Sequence, residues 1–219
     1  EKHQKIRTAE KRQHIINKLE RYLGNDYLPF NKITVSFLKD YEAYLRDLGN
    51  KVNTVHTDLK GIRAIINSAI QEGMLDPSRN PFLNYRLKTE KSYKEKLSIE
   101  EMKRFIDLEC EEGSLIWKVK KYFLFSYYCG GIRFGDFTQL KWSNIREGRL
   151  VYTMDKTAGT AGSFKNIPLV PKALEILETF KVWNPGALDD FIFPVLTKGL
   201  DFEDLLGLKR EIGRKNSLV

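Results

Sequence analysis

Residues that form covalent or metal-bound frameworks are scarce in this 219-residue chain. It has two cysteines, Cys110 and Cys129, and three histidines, of which His56 is the last. The sequence contains no CxxC pair and no cluster of cysteine and histidine ligands, so neither a disulfide framework nor a zinc site has a basis in it. We expect two free, buried thiols instead.

Long apolar runs are also missing. The longest stretch, Tyr122 to Cys129, is interrupted by Ser126 and falls well short of the roughly 20 residues that a membrane span needs. We also expect no signal peptide. With 42% hydrophobic and 12% aromatic residues, the chain has enough apolar material for a packed core in each of two domains. We therefore expect a soluble, cytoplasmic protein without membrane contact.

Acidic residues are few in the first part of the chain. Residues 1–96 contain 19 Lys and Arg against 12 Asp and Glu, whereas residues 97–219 contain 18 against 17, so most of the net charge of +8 lies in the first part. Basic side chains that neutralise phosphates gain affinity because counterions are released. The imbalance favours a nucleic-acid partner, and the alternative is a helical scaffold whose positive charge is incidental.

The first third of the chain is predicted to be helical. Apolar residues recur every three or four positions in three stretches, which are Ile15 to Leu23, Phe37 to Leu48 and Val55 to Ile70. Thr34 is a candidate N-cap for the second helix, since its hydroxyl can accept a hydrogen bond from a first-turn amide. These features predict a small helical domain over residues 1–86.

A basic linker and a second domain are predicted to follow. Residues 87–96 lose periodicity and are rich in lysine, and Ser98 and Glu101 then form a capping-box signature that begins a new helix. Alternating apolar residues around Leu150 and Ile167 indicate a β-hairpin. The second domain, residues 97–219, is therefore predicted to be helical with a small sheet, and the chain as a whole mainly α.

Arg133 has an unusual position, directly after an apolar helix and the Gly130-Gly131 turn. An unpaired guanidinium is costly against packed structure, and its planar fork is suited to clamp a phosphate. Alternatively, Arg133 forms a structural ion pair with Asp136, three residues further on. The spacing alone leaves both interpretations open.

The segment from Gly131 to Ile145 reads Gly-Ile-Arg-Phe-Gly-Asp-x-x-x-Leu-x-Trp-x-x-Ile. It resembles the first active-site box of the tyrosine recombinases, the phage-type integrases. The helices before it are similar to that family's core-binding, SAM-like domain, and the chain resembles integrases of mobile elements from Bacteroidetes-like bacteria. The resemblance implies a helical core-binding domain followed by the N-terminal part of a mixed α/β recombinase catalytic domain.

The resemblance also implies roles for individual residues. Arg133 would contact the scissile phosphate, Asp136 would help to orient it, and Lys156 on the hairpin would give a proton to the departing 5′ oxygen. Lys165 on the returning strand is the competing candidate for the lysine. Chemistry of this kind relies on positioning and on cations placed where negative charge develops. It implies no metal and no small-molecule cofactor.

Contacts with duplex DNA are expected in the first domain and in the linker. Polar residues flank the apolar stripe of the third helix, and linker lysines are candidate phosphate contacts. The candidate DNA-binding residues are Asn53, Thr54, Thr57, Lys60, Lys91 and Lys94. The full-length protein is expected to act as a homo-tetramer on two duplexes.

The sequence departs from the family where the reaction is completed. After the lysine, the family requires a His-x-x-Arg box, a further His or Trp and a nucleophilic tyrosine. In this chain no histidine follows His56 and no tyrosine follows Tyr152. Tyr127, Tyr128 and Tyr152 are predicted to be core residues. We expect a DNA-binding, catalytically incomplete fragment of a recombinase that cuts and rejoins DNA through a phosphotyrosyl intermediate.

Two other proteins would share part of this pattern. A naturally short integrase-like regulator would occupy recombination sites without strand transfer, and the gene sequence beyond Val219 would distinguish it from a fragment. A type IB topoisomerase uses the same chemistry, but the separate core-binding domain favours an integrase.

Overall fold

The chain folds into two compact units. A computed structural model describes residues 2–24, 27–157, 162–196 and 205–217. The helical unit is Arg7–Glu95, and the mixed unit is Lys96–Val219 together with Glu1–Ile6. Helices dominate the described residues and one small antiparallel sheet accompanies them, which confirms the predicted fold class. No described helix is long and apolar enough to cross a membrane.

The described residues of the helical unit contain α2 (Val35–Asp47), α3 (Val52–Gln71) and, from Arg7 on, the long helix α1 (Lys2–Leu23). The periodic apolar residues of α2 and α3 form its core, and Tyr41 and Ile66 are fully buried there. The Thr34 hydroxyl accepts a hydrogen bond from the Phe37 N–H at 3.2 Å, which confirms the predicted N-cap. Helix periodicity therefore locates this core.

A close approach and an ion pair join α1 to α3. A Cβ atom built at Gly61 would lie 2.3 Å from the Ile15 Cδ1 atom, so the Ile15 side chain packs directly on the Gly61 backbone and would have to move to admit a larger residue. Lys18 Nζ lies 2.7 Å from Asp58 Oδ2, and the Asp58 side chain is 7% exposed. A buried carboxylate without a partner is costly, so this pair stabilises the contact between the two helices.

From Lys96 on, the described residues of the mixed unit form five α-helices and three strands. The helices are α4 (Ile99–Asp107), α5 (Leu115–Tyr128), α6 (Phe134–Phe137), α7 (Pro171–Trp183) and α8 (Leu205–Asn216), and the strands are β1 (Ile145–Arg146), β2 (Arg149–Thr153) and β3 (Phe164–Pro168). The predicted capping box at the start of α4 is present, because the Ser98 and Glu101 side chains each accept the other's backbone N–H.

The core of the mixed unit is aromatic. Phe137 of α6 stacks on Phe193 with ring centroids 4.3 Å apart, and both side chains are 1% exposed. Tyr122 and Phe125 of α5 and Phe180 of α7 surround this pair. The short helix α6 is therefore anchored in the centre of the core through Phe137.

The sheet has the order β1-β2-β3 and is antiparallel. Leu150 pairs with Ile167 and Tyr152 with Lys165, which confirms the predicted hairpin. The additional strand β1 was not predicted, since two residues are too few to show an alternation. It turns into β2 through Glu147 and Gly148, both of which have positive φ, as a two-residue hairpin turn of the I′ type requires.

One predicted core tyrosine is exposed. Tyr128 and Tyr152 are half-buried and pack against the core, whereas 53% of Tyr127 is exposed, so the prediction for Tyr127 was wrong. Tyr127 lies one turn after Phe123 on the outer face of α5, and Phe123 and Ile116 are exposed on the same face. Because this helix has apolar residues on both faces, composition does not reveal which side is buried.

Candidate functional site

A glycine turn sets the position of Arg133. Gly130 and Gly131 have φ values of +77° and +83°, a region that residues with a Cβ rarely adopt, and the Gly131 N–H donates to the Ser126 carbonyl at 2.7 Å. Beyond this turn Ile132 is 7% exposed and buried in the core, whereas Arg133 is exposed. The guanidinium therefore extends from a backbone that is held on both sides.

Among the described residues the Arg133 side chain makes one hydrogen bond, a weak one. Its Nη1 donates to the thioether sulfur of Met154, just past the end of β2, at 3.2 Å. Among the described residues no carboxylate lies within ion-pairing distance of the guanidinium, so the alternative of a structural ion pair with Asp136 is not observed. Most of the donor groups of the fork therefore remain available to an anion.

Asp136 joins the arginine segment to the hairpin. It is 7% exposed, and its Oδ1 accepts the Asp155 backbone N–H at 2.8 Å. Its Oδ2 is buried and has no hydrogen-bond partner in the described part of the chain. The carboxylate thus connects α6 directly to the residue that precedes Lys156.

The electrostatic setting of Asp136 reflects its burial. Burial raises the pKa of this carboxyl above its ordinary value, while the hydrogen bond from Asp155 and the nearby positive charge of Arg133 partly oppose the rise. Burial, followed by the Asp136 charge, likewise raises the pKa of the Tyr152 hydroxyl. Arg133 therefore acts on Asp136 through space without a direct ion pair.

The two candidate lysines lie at different places on the hairpin. Lys156 is exposed in a 3₁₀ turn, Asp155–Thr157, directly after the residues that contact Arg133 and Asp136. Lys165 is half-buried in β3 opposite Tyr152, on the face that packs against the core. The structure thus brings Arg133, Asp136 and the turn with Lys156 together, and the preference for Lys156 over Lys165 stays a prediction.

The buried Asp136 carboxyl gives a testable pH dependence of stability. Because its pKa is higher in the folded than in the unfolded chain, the folded state binds more protons between those two values. The contribution of Asp136 to stability therefore falls as pH rises through that range. We expect Asp136→Asn to remove this fall in stability, because the asparagine side chain does not titrate. Asparagine also keeps an oxygen that can accept the Asp155 N–H, so the hydrogen bond is preserved. Denaturant unfolding across the carboxyl titration range measures it.

The control for this prediction is Asp136→Ala, which also removes the acceptor. It leaves the Asp155 N–H without its partner, so we expect it to be less stable than Asp136→Asn at every pH, by about 1 kcal/mol. A wild-type pH profile that coincides with that of Asp136→Asn would contradict the expected linkage.

The candidate DNA-binding residues of the helical unit differ in how they are engaged. Thr54 and Lys60 are exposed on α3, and Thr57 is half-buried. Asn53 is exposed, but its Oδ1 accepts the Glu90 N–H at 2.9 Å and its Nδ2 donates to the Glu90 carbonyl at 2.7 Å. Sequence reasoning missed this contact because its partner is backbone 37 residues further on.

The first residues of the predicted linker are held on the helical unit. The Tyr85 hydroxyl donates to Glu42, Lys88 Nζ lies 3.5 Å from the same carboxylate, and Asn53 holds Glu90. From residue 91 to residue 100 all side chains are exposed, Lys91 and Lys94 among them. These polar contacts hold the chain on the helical unit as far as Glu90, and the linker bounds of residues 87–96 stay a prediction.

Comparisons with known proteins find similarity in the helical unit and in the fold of the whole chain. Residues 1–89 match the model of the phage integrase SAM-like domain family. The fold is similar to a lambda integrase dimer bound to a COC′ core site, with a TM-score of 0.68 and 21% identity over 97% of this chain and 71% of that one. A search of curated proteins finds no match to this chain.

Two other solved structures are similar. A lambda integrase tetramer bound to a Holliday junction has a TM-score of 0.65 and 19% identity, over 97% of this chain and 60% of that one. The Tn1549 transposon integrase in complex with transposon right end DNA has a TM-score of 0.66 and 16% identity, over 97% of this chain and 73% of that one. At these identities the structures show a shared fold. The family model thus covers the first 89 residues, and the chain as a whole shares the fold of the lambda and Tn1549 integrases.

Proposed function

We propose that this chain is the DNA-binding and phosphate-holding part of a recombinase that cuts and rejoins DNA at specific sites. The observation that carries the proposal is the joint placement of three functional groups. Arg133 contacts Met154, Asp136 holds the Asp155 N–H, and Lys156 is the next residue of the same turn. A guanidinium and an ammonium thus belong to one connected piece of structure.

Each group has a role in phosphoryl transfer. Arg133 binds the non-bridging oxygens of the scissile phosphate and stabilises the charge that develops on them. In the parent recombinase a tyrosine hydroxyl, which these residues do not supply after Tyr152, loses its proton to a base or to water as its oxygen bonds to the phosphorus. The bond to the 5′ oxygen breaks while Lys156 gives that oxygen a proton. Asp136 touches none of the reacting atoms and positions the turn that carries Lys156.

Duplex DNA is the proposed partner. The similar lambda and Tn1549 integrases are seen in complexes with DNA, and the excess positive charge of this chain lies in its helical unit and linker. Thr54, Thr57 and Lys60 on α3, with Lys91 and Lys94, are the proposed contacts. The full-length protein is proposed to act as a homo-tetramer, the form in which lambda integrase binds a Holliday junction.

We expect these 219 residues to bind DNA without forming a covalent adduct, because they contain no histidine after His56 and no tyrosine after Tyr152. The chain is incubated with nicked duplex DNA, and one half of each sample is run on a native gel and the other on a denaturing gel. A shifted band that weakens as salt rises, without a covalent band, is the expected result.

The native gel and the denaturing gel test two separate parts of the proposal, DNA binding and the lack of a covalent adduct. A covalent band on the denaturing gel would show that another residue supplies the nucleophile, and the proposed incompleteness would be wrong. The absence of a shift on the native gel, even at low ionic strength, would instead refute DNA binding and favour a scaffold whose charge is incidental.

A further inference from the structure

Asn53 is held by the linker, and this changes its expected role. We propose that Asn53 is a positioning residue that latches the linker to α3 and so presents Lys91 and Lys94 to DNA phosphates. The part of this inference that concerns DNA rests on the proposed function. The latch itself is a property of the helical unit and exists without DNA.

The contact has the geometry of a two-point clamp. The Asn53 carboxamide donates to the Glu90 carbonyl at 2.7 Å and accepts the Glu90 N–H at 2.9 Å, so it satisfies both backbone groups of one residue. Turning this side chain towards a DNA groove would break both hydrogen bonds at once. A single hydrogen bond would let Glu90 swivel, whereas the pair fixes its orientation.

Asn53 lies on a helix that is anchored in the core of the helical unit. Asn53 lies in the first turn of α3, and Val55 and Leu59 of the same helix are 3% and 2% exposed in the core. Its main chain therefore moves with the core of the helical unit. The latch transfers this fixed position to Glu90, which has no buried side chain of its own.

A second anchor lies upstream of the latch. Tyr85 is 8% exposed, and its hydroxyl donates to Glu42, which also lies 3.5 Å from Lys88 Nζ. The segment between Tyr85 and Glu90 is thus held at both ends. Lys91 follows the second anchor directly, and Lys94 follows it three residues later.

The latch reduces the cost of binding through these lysines. Ordering a mobile backbone residue costs free energy when a partner binds, and a segment ordered in advance avoids that cost. If the latch is lost, the unattached chain starts nearer to Tyr85 and the position of Lys91 is no longer fixed. DNA affinity should therefore depend on Asn53 although Asn53 does not touch DNA.

The latch can be tested in the free protein. Amide hydrogen exchange is measured for the wild type, for Asn53→Ala and for Asn84→Ala, in which an exposed asparagine of the same unit, without a side-chain hydrogen bond to the described residues, is replaced. We expect the Glu90 amide to exchange about five- to tenfold faster in Asn53→Ala, as the loss of such hydrogen bonds implies. Asn84→Ala should match the wild type. Unchanged Glu90 exchange in Asn53→Ala would overturn the proposal.

Its coupling to DNA is tested by a double-mutant cycle. Asn53→Ala should weaken binding to a duplex severalfold in the wild-type background and have little effect where Lys91 and Lys94 are already alanine. The Glu90 amide should stay protected when DNA is bound. An equal loss in both backgrounds, with Glu90 protection lost on adding DNA, would show that Asn53 contacts DNA directly and would overturn the latch.

Failure of the proposed function is distinguishable from failure of the latch. A wild-type chain that binds no duplex at low salt refutes the proposed function, and the exchange measurement alone then decides the latch. A wild-type chain that binds, with Glu90 exchange unaffected by Asn53→Ala, supports the proposed function and refutes the latch.

Discussion

Replacing Phe193 with alanine is expected to lower the free energy of unfolding of the mixed unit by about 3–5 kcal/mol. Its ring is 1% exposed and packs on Phe137, with Tyr122, Phe125 and Phe180 around it. Truncation removes buried apolar surface and leaves a cavity among rings that can close it only in part. Loss of the stack on Phe137 also removes support from α6, the helix that follows Arg133.

Tryptophan fluorescence during denaturant unfolding measures this loss for the mixed unit alone. All three tryptophans, Trp117, Trp142 and Trp183, lie in that unit, and the Trp117 ring lies 5.9 Å from that of Phe180. Phe164→Ala is the control, because that ring is 60% exposed and its loss should change stability by only about 0.5 kcal/mol. Equal costs for the two substitutions would contradict the central place of Phe193 in the core.

Much of this architecture is predictable from sequence because it depends on local patterns. The apolar period of α3 locates the buried residues from Val55 to Ala69, and the capping box at Ser98 marks the first residue of the mixed unit's helix α4. The residues that make up each of these signals lie within one or two helical turns of one another in the sequence. The apolar spacing is a strong signal because every helical turn repeats it, and the capping box is a strong signal because it joins two specific residue types at a fixed distance.

Polar contacts between distant residues were not predictable in the same way. The Asn53 contact with Glu90 and the Asp136 contact with Asp155 each end on a backbone group, which every residue type supplies. Neither leaves a periodic trace. The resemblance identified Asp136 as a partner that orients Arg133, whereas its hydrogen bond is to the hairpin, so the two candidate cations are coupled through the backbone after β2.

Arg133→Ala is expected to weaken binding to duplex DNA about tenfold or more at low salt. Hydrogen bonds to charged groups are stronger than neutral ones, and the Arg133 fork makes only its contact with Met154 in the described structure. Loss of one phosphate contact should also reduce the salt dependence of binding by about 0.9 in logarithmic slope. Fluorescence anisotropy with a labelled duplex, titrated at several salt concentrations, measures both quantities.

Two matched variants separate a phosphate clamp from a general loss of charge. Arg133→Lys keeps the charge but not the planar fork, so it should recover only part of the affinity. Lys181→Ala removes one positive charge from the outer side of α7, where Lys181 lies 3.9 Å from Glu178, and should weaken binding far less. If Arg133→Ala and Lys181→Ala weaken binding equally, Arg133 contributes only bulk charge and the phosphate site is refuted. Unchanged unfolding midpoints show that the Arg133 variants are folded, as expected for an exposed side chain that makes one weak hydrogen bond to a thioether in the described structure.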